Sequence, residues 1–246
     1  MTTDSAVARL RALPRERRII PALDLPDAAA AAALAERLGA RAPLVKVGLE
    51  LFTAAGGDVV RRLADAGRAV FLDLKLHDIP NTVAGAVRAA ARLPGVAMLT
   101  LHAAGGPDMI ATAAEAAAGA ARPPALLAVT VLTSLDDAAW AAVCPAGETT
   151  AAAVERLAGL AVAAGADGLV CSPRDVAPLR RRLGTEPLLV TPGIRPAGAA
   201  ADDQRRTAAP AAAVAAGADF LVIGRPITRA PDPAAALAAL CEELSP

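Results

Sequence analysis

Tyrosine is absent from the 246-residue sequence, and with one tryptophan and three phenylalanines the aromatic share is only 2%. A chain so poor in rings has little with which to stack bases, which argues against a single-strand nucleic-acid platform. Net charge is missing as well: 25 basic residues balance 25 acidic ones for a formal charge of +0. No basic field therefore draws the chain to nucleic acid or to an anionic membrane, and neither is expected as a partner. Cysteines number three, Cys144, Cys171 and Cys241, with no CxxC pair and no Cys/His cluster. That argues against a disulfide framework and against structural zinc, and it suits a reducing cytoplasm. A charge-free run long enough to cross a bilayer is also lacking. The first 18 residues mix Arg9, Arg11, Arg15, Arg17 and Arg18 with Asp4 and Glu16, without the apolar stretch of a secretory signal. They read as a lead-in helix or tail (1–18) ahead of a single domain at 19–246.

What the chain has is alanine. Hydrophobic residues reach 55% and mean hydropathy is +0.44, but alanine adds little apolar area and favours closely packed helices. Short runs rich in Val, Ile and Leu recur between these alanine-rich stretches. They predict strands at 19–23, 44–48, 69–75, 96–102, 126–131, 168–171, 188–191 and 219–223. Helical periodicity occupies 27–38, 52–66, 82–93 and 148–164 among the intervening segments. Gly39, Gly67, Gly165 and Gly217 stand just before strands, where a left-handed helix cap belongs. Eight strand–helix units in this length predict a single (β/α)8 barrel of the α/β class. A doubly wound open sheet is the alternative, but the turn after the first strand, Leu23-Asp24-Leu25-Pro26-Asp27, is not the glycine-rich one that fold uses.

In such a barrel the active site lies at the carboxyl ends of the strands. Polar residues gather at those ends: Asp24, Lys46, Asp73, Lys75, His102, Thr133, Arg195 and Arg225. Charges converging on a barrel mouth are costly unless paired or bound to ligand, so a ring of them points to function. Asp73 and Lys75 stand two apart on one strand and share a face, with Lys46 one strand over. Asp78 lies beyond the strand, just before Pro80, where the next helix begins. Alternating carboxylates and ammoniums hold each other ionised, which keeps a lysine available as a proton donor. The bland reading of an isolated DxK pair is an ion-pair network that staples loops. His77 reads as a local hydrogen-bonding residue, His102 as a support for the charge row, Cys171 as core and Trp140 as packing.

The run Asp73-Leu74-Lys75-Leu76-His77-Asp78-Ile79-Pro80-Asn81-Thr82 closely resembles the signature of the orotidine 5'-phosphate decarboxylases. The likeness continues through Ala22-Leu23-Asp24, Lys46-Val47-Gly48, Val131-Leu132-Thr133-Ser134, Thr191-Pro192-Gly193-Ile194-Arg195 and Ile223-Gly224-Arg225, in order from 19 to 228. The resemblance implies a cofactor-independent, metal-free decarboxylation of orotidine 5'-phosphate in pyrimidine synthesis. It implies that Lys75 protonates the C6 carbanion, that Asp73 sits against the leaving carboxylate, and that Lys46 and Asp24 hold the ribose hydroxyls. Thr133 and Ser134 would address the pyrimidine, and Arg225, Arg195 and the backbone near Gly224 the phosphate. Asp78, Ile79 and Thr82 would contact substrate, with Asp78 and Thr82 reaching into the neighbouring subunit's site, so a homodimer with shared sites is implied. Gln204, in the long connection 192–207, would bridge phosphate and base in a closing lid. Without tyrosine, phosphate binding falls to arginine, glutamine and backbone groups.

Two other readings compete. A magnesium-dependent sugar-phosphate decarboxylase or aldolase of the same superfamily shares DxKxxD but has an acidic metal ligand where this chain has Lys46, a cation that repels a divalent ion. A non-catalytic barrel that binds a phosphorylated ligand would bind without turnover.

Overall fold

The computed structural model describes residues 5–144, 147–195 and 208–244. Within them the strands are β1 (Ile19–Pro21), β2 (Leu44–Gly48), β3 (Ala69–Leu76), β4 (Val96–His102), β5 (Ala125–Val129), β6 (Gly168–Val170), β7 (Leu188–Thr191) and β8 (Phe220–Ile223). Between and around them lie α1 (Ala6–Arg11), α2 (Ala28–Leu38), α3 (Leu49–Ala55), α4 (Gly57–Asp65), α5 (Pro80–Ala91) and α6 (Pro107–Ala118). The second half adds α7 (Asp137–Val143), α8 (Thr150–Ala163), α9 (Val176–Leu183), α10 (Pro210–Ala215), α11 (Arg225–Thr228) and α12 (Pro233–Glu242). Every strand pairs parallel with its neighbours in the order β1-β8-β7-β6-β5-β4-β3-β2. The two ends of that order meet, because Ala22 bridges Lys46 and the Leu23 N–H donates to the Lys46 carbonyl over 2.9 Å. The sheet is a (β/α)8 barrel, and the open alternative does not apply.

Local chemistry explains the boundaries. Asp27, Asp136 and Thr149 accept from backbone N–H groups in the first turns of α2, α7 and α8, and proline opens α5, α6, α10 and α12. The four glycines expected to cap helices all have positive φ, from 61° at Gly39 to 109° at Gly217. One expected helix, 52–66, is instead two. Gly56 adopts φ 58° between α3 and α4 and breaks the periodic run. β1 stops at Pro21, which brings no N–H to the ladder, and β5 runs 125–129 rather than 126–131.

Two apolar shells hold the barrel. The inner one fills the lumen with Ile20, Leu44, Phe71, Met98, Leu127, Leu188, Val190 and Phe220, and α1 adds Ala6 and Leu10 to it from below. The outer one sandwiches the other face of the strands, including Val45, Val47, Val70, Leu72 and Leu99, against helices that contribute small residues such as Ala31, Ala35 and Ala113. Alanine at these contacts is what lets helices lie close to the sheet. Beneath the barrel, Arg180 pairs with Asp219 and donates to the Gly217 and Pro187 carbonyls, so the lower charges are spent on tying loops together. Among the described residues, no helix is long and apolar enough to cross a membrane.

Candidate active site

Strand alternation carries the inner shell upward into polar residues. Above Leu44 comes Lys46, above Phe71 comes Asp73, above Met98 comes Thr100, and above Phe220 and Val222 comes Gly224. A cavity of 660 Å³ opens at this end. Asp24, Lys46, Asp73, Lys75, Thr133, Arg195, Gly224 and Arg225 all line it, so eight of the residues singled out in the sequence meet around one space. The charged lining is three carboxylates, Asp24, Glu50 and Asp73, against Lys46, Lys75, Arg195, Arg225 and Arg229, an excess of two positive charges. Such a mouth suits an anionic small molecule.

The centre of the site is a row of alternating charge. Lys46 Nζ donates to Asp24 Oδ1 over 2.8 Å and lies 3.8 Å from Asp73 Oδ2. Lys75 Nζ donates to both oxygens of Asp73, each over 2.9 Å. The row is graded in exposure: the side chains of Lys46 and Asp73 are 10% and 14% exposed, whereas Lys75 is 31% exposed at the cavity. Two largely desolvated ammoniums flank one carboxylate, so the middle of the row attracts more strongly than it would in water. The expected three-membered row thus has four members, because Asp24 joins it.

Asp73 and Lys75 reach the mouth together, but not by regular alternation. Leu72 pairs with Leu99 and Leu76 with Leu101, so three residues of β3 stand opposite Thr100 alone. Lys75 has φ 51°, the only positive φ outside glycine among the described residues. A bulge of this kind bends the strand and re-aims a side chain.

Other expected site residues lie elsewhere. Asp78, Ile79, Thr82 and Ser134 are exposed and do not line the cavity. Asp78 Oδ1 accepts from the Ile79 N–H over 2.7 Å, and Ile79 is 67% exposed. Gln204 and the rest of 196–207 lie outside the described residues, but the flanks of that segment meet beside the cavity, where the Arg195 N–H donates to the Ala208 carbonyl over 3.0 Å.

His102 does not support the charge row as expected. The chain turns sharply at Ala103–Gly105 straight after β4, and the His102 Nδ1 accepts from the Ala104 N–H to cap that turn. Its ring stacks on His77, centroids 5.3 Å apart. Burial first, then the charges of His77 and Lys75, hold its pKa below the ordinary 6.5. Cys171 is buried core, and Trp140 packs against the outer shell.

Sequence reasoning passed over Thr100, Glu50, Thr228 and Arg229. The last three line the cavity but stand in or beside the helices that follow β2 and β8, where no strand-end pattern marks them. Among the described residues, no group of three His, Cys, Asp or Glu side chains is arranged to hold a metal ion.

A (β/α)8 barrel with a carboxylate–ammonium row and arginines around one anion-suited cavity has the design of a barrel enzyme. Comparison narrows the class. The chain belongs to the orotidine 5'-phosphate decarboxylase / HUMPS family, whose profile matches residues 17–240. It is 58% identical over 227 residues to an orotidine 5'-phosphate decarboxylase of Anaeromyxobacter sp. (strain K), covering 92% of this chain and 98% of that one. A protein of the same name from Halorhodospira halophila is 57% identical over 233 residues, 95% and 98% of the two chains. Among solved structures, orotidine 5'-phosphate decarboxylase from Lactobacillus acidophilus superposes with a TM-score of 0.83 at 41% identity, covering 94% of this chain and all of that one.

Proposed function

We propose that this protein converts orotidine 5'-phosphate to UMP and CO2, the step that completes the pyrimidine nucleotide, and that it does so in the cytoplasm. The observation that carries the reading is the Asp24–Lys46–Asp73–Lys75 row at the floor of a positively charged cavity. The reaction breaks the bond between C6 and its carboxylate, and the electron pair stays on C6. Lys75, the more exposed of the row's two ammoniums, delivers a proton from Nζ to that carbon. Asp73, gripped by Lys75 and facing Lys46, lies against the substrate carboxylate. Its negative charge opposes a carboxylate and ceases to oppose neutral CO2, so the interaction favours departure.

The rest of the cavity handles the nucleotide. Lys46 and Asp24 hold the ribose hydroxyls, Thr133 and Ser134 the pyrimidine edge, and Arg225, Arg195 and the Gly224 backbone the phosphate. Arg229 adds a cation to the same side. Phosphate binding far from C6 contributes energy that can assemble and desolvate the reacting end, and Gln204 would join phosphate to base as the 192–207 segment closes. The exposed Asp78, Ile79 and Thr82 complete the partner subunit's site in a homodimer.

Loss of the substrate's ultraviolet absorbance, followed with purified protein and orotidine 5'-phosphate in EDTA, tests the activity. Turnover without metal is expected. Turnover only after a divalent cation is restored would favour the magnesium-dependent relatives, and tight binding without turnover the ligand-binding barrel. Lys75→Ala is expected to remove at least about 1,000-fold of kcat with the fold retained, since both proton delivery and one neighbour of Asp73 are lost.

A further inference from the structure

We infer that Thr100 is a positioning residue for the Asp73–Lys75 pair, an inference that rests on Lys75 being the proton donor. The reason begins with the ladder between β3 and β4. Parallel strands normally satisfy each backbone N–H from the neighbouring strand. Here Asp73, Leu74 and Lys75 stand between two paired positions that only Thr100 separates on β4. The bulge leaves the Lys75 N–H without a ladder acceptor, at a residue whose φ of 51° is already disfavoured for a side chain with a Cβ. Without an acceptor for that N–H, a part-buried donor would stand unpaired and this form of the bulge would be costly.

Thr100 supplies the acceptor. Its Oγ1 receives the Lys75 N–H over 2.8 Å, and its own O–H donates to Asp73 Oδ1 over 3.0 Å. One hydroxyl therefore ties the main chain of the proton donor to the carboxylate beside it. The arrangement settles the rotation of the Asp73 carboxylate: Oδ1 takes Thr100 and Lys75, while Oδ2 takes Lys75 and faces Lys46 at 3.8 Å. Thr100 is fully buried and does not line the cavity, so it touches the pair rather than the substrate. A threonine needed only for packing would be matched by valine, which fills the same space but offers no hydroxyl.

The test compares Thr100→Val and Thr100→Ser with the unaltered enzyme, measuring kcat, KM, UMP affinity and thermal melting. A misplaced reacting group costs up to about 100-fold in rate. Thr100→Val is expected to lower kcat by ~10- to 100-fold with KM and UMP affinity within about threefold, because ribose and phosphate contacts are untouched. Thr100→Ser keeps the hydroxyl and is expected to recover most of kcat. Wild-type kcat in Thr100→Val overturns the inference, as does an equal loss in Thr100→Ser. If the valine protein is not recovered folded, Thr100→Ala takes its place in the same comparison. Should the unaltered protein fail to decarboxylate, the proposed function falls, and a crystal structure of the variant judges the positioning role alone. Asp73 turned away from Lys75 supports it, and Asp73 still receiving Lys75 Nζ on both oxygens overturns it.

Discussion

Gly48 sits where a single methyl group would press on the charge row. A Cβ built there lies 2.7 Å from Lys46 Nζ and 3.0 Å from Asp24 Oδ1. Its φ of −97° is open to any residue, so the constraint is space and not backbone conformation. Gly48→Ala is expected to push the ammonium off Asp24 and lower kcat/KM by about 10-fold, with melting within a few degrees of wild type. Steady-state kinetics beside a thermal melt check this, and unchanged kinetics would show that the ribose end of the row tolerates displacement. At this scale legibility followed charge. Asp24, Lys46, Asp73 and Lys75 stood out because ionised residues at the ends of apolar strands need a reason. Thr100 did not, since one threonine inside Val96–His102 reads as an ordinary β-branched strand residue; its role depends on a register shift that no local pattern announces.

The third and fourth strands show what an element adds to its residues. β3 was expected to end at 75 as a regular strand and instead runs to Leu76 with a bulge that redirects Lys75. Strand existence was legible from Val, Ile and Leu runs, whereas the bulge arises from how two strands fit. The same holds for 52–66, where helix formers predicted one helix and Gly56 made two. β4 ends on His102, whose ring stacks on that of His77 just beyond β3. Because burial holds the folded His102 pKa below its ordinary 6.5, the unfolded chain takes up that proton first as pH falls. Its contribution is present above about pH 6.5 and is lost as pH drops through the folded value. Urea unfolding is expected to show falling stability across that acid window, with a shallower fall in His102→Asn, whose side-chain oxygen can still accept from the Ala104 N–H. An identical slope in the two proteins would assign the acid sensitivity to other groups.

At the scale of the whole molecule the barrel separates stability from chemistry. Arg180, Asp219 and the α1 plug secure the lower end, while the upper end spends its charges on a cavity. That division was legible in advance, because eight strand–helix units impose it. What one chain does not explain is the group beyond β3. Ile79 is 67% exposed and flanked by exposed Asp78. An apolar side chain beside a charged residue that misses its own cavity is accounted for if a second copy of the chain covers it. Burying the two-thirds of Ile79 that is exposed would contribute about 1–2 kcal/mol to such an association. If Asp78 serves the partner's site, Asp78→Ala and Lys75→Ala damage different components of each shared site. Each homodimer is then inactive, but a mixed dimer contains one site with both residues intact and one with neither. Random reassortment makes half the dimers mixed, so about a quarter of wild-type sites return. Co-refolding the two variants and measuring decarboxylation reads this directly: recovery near a quarter supports the shared site, and no recovery above the separate variants places Asp78 with its own chain's cavity.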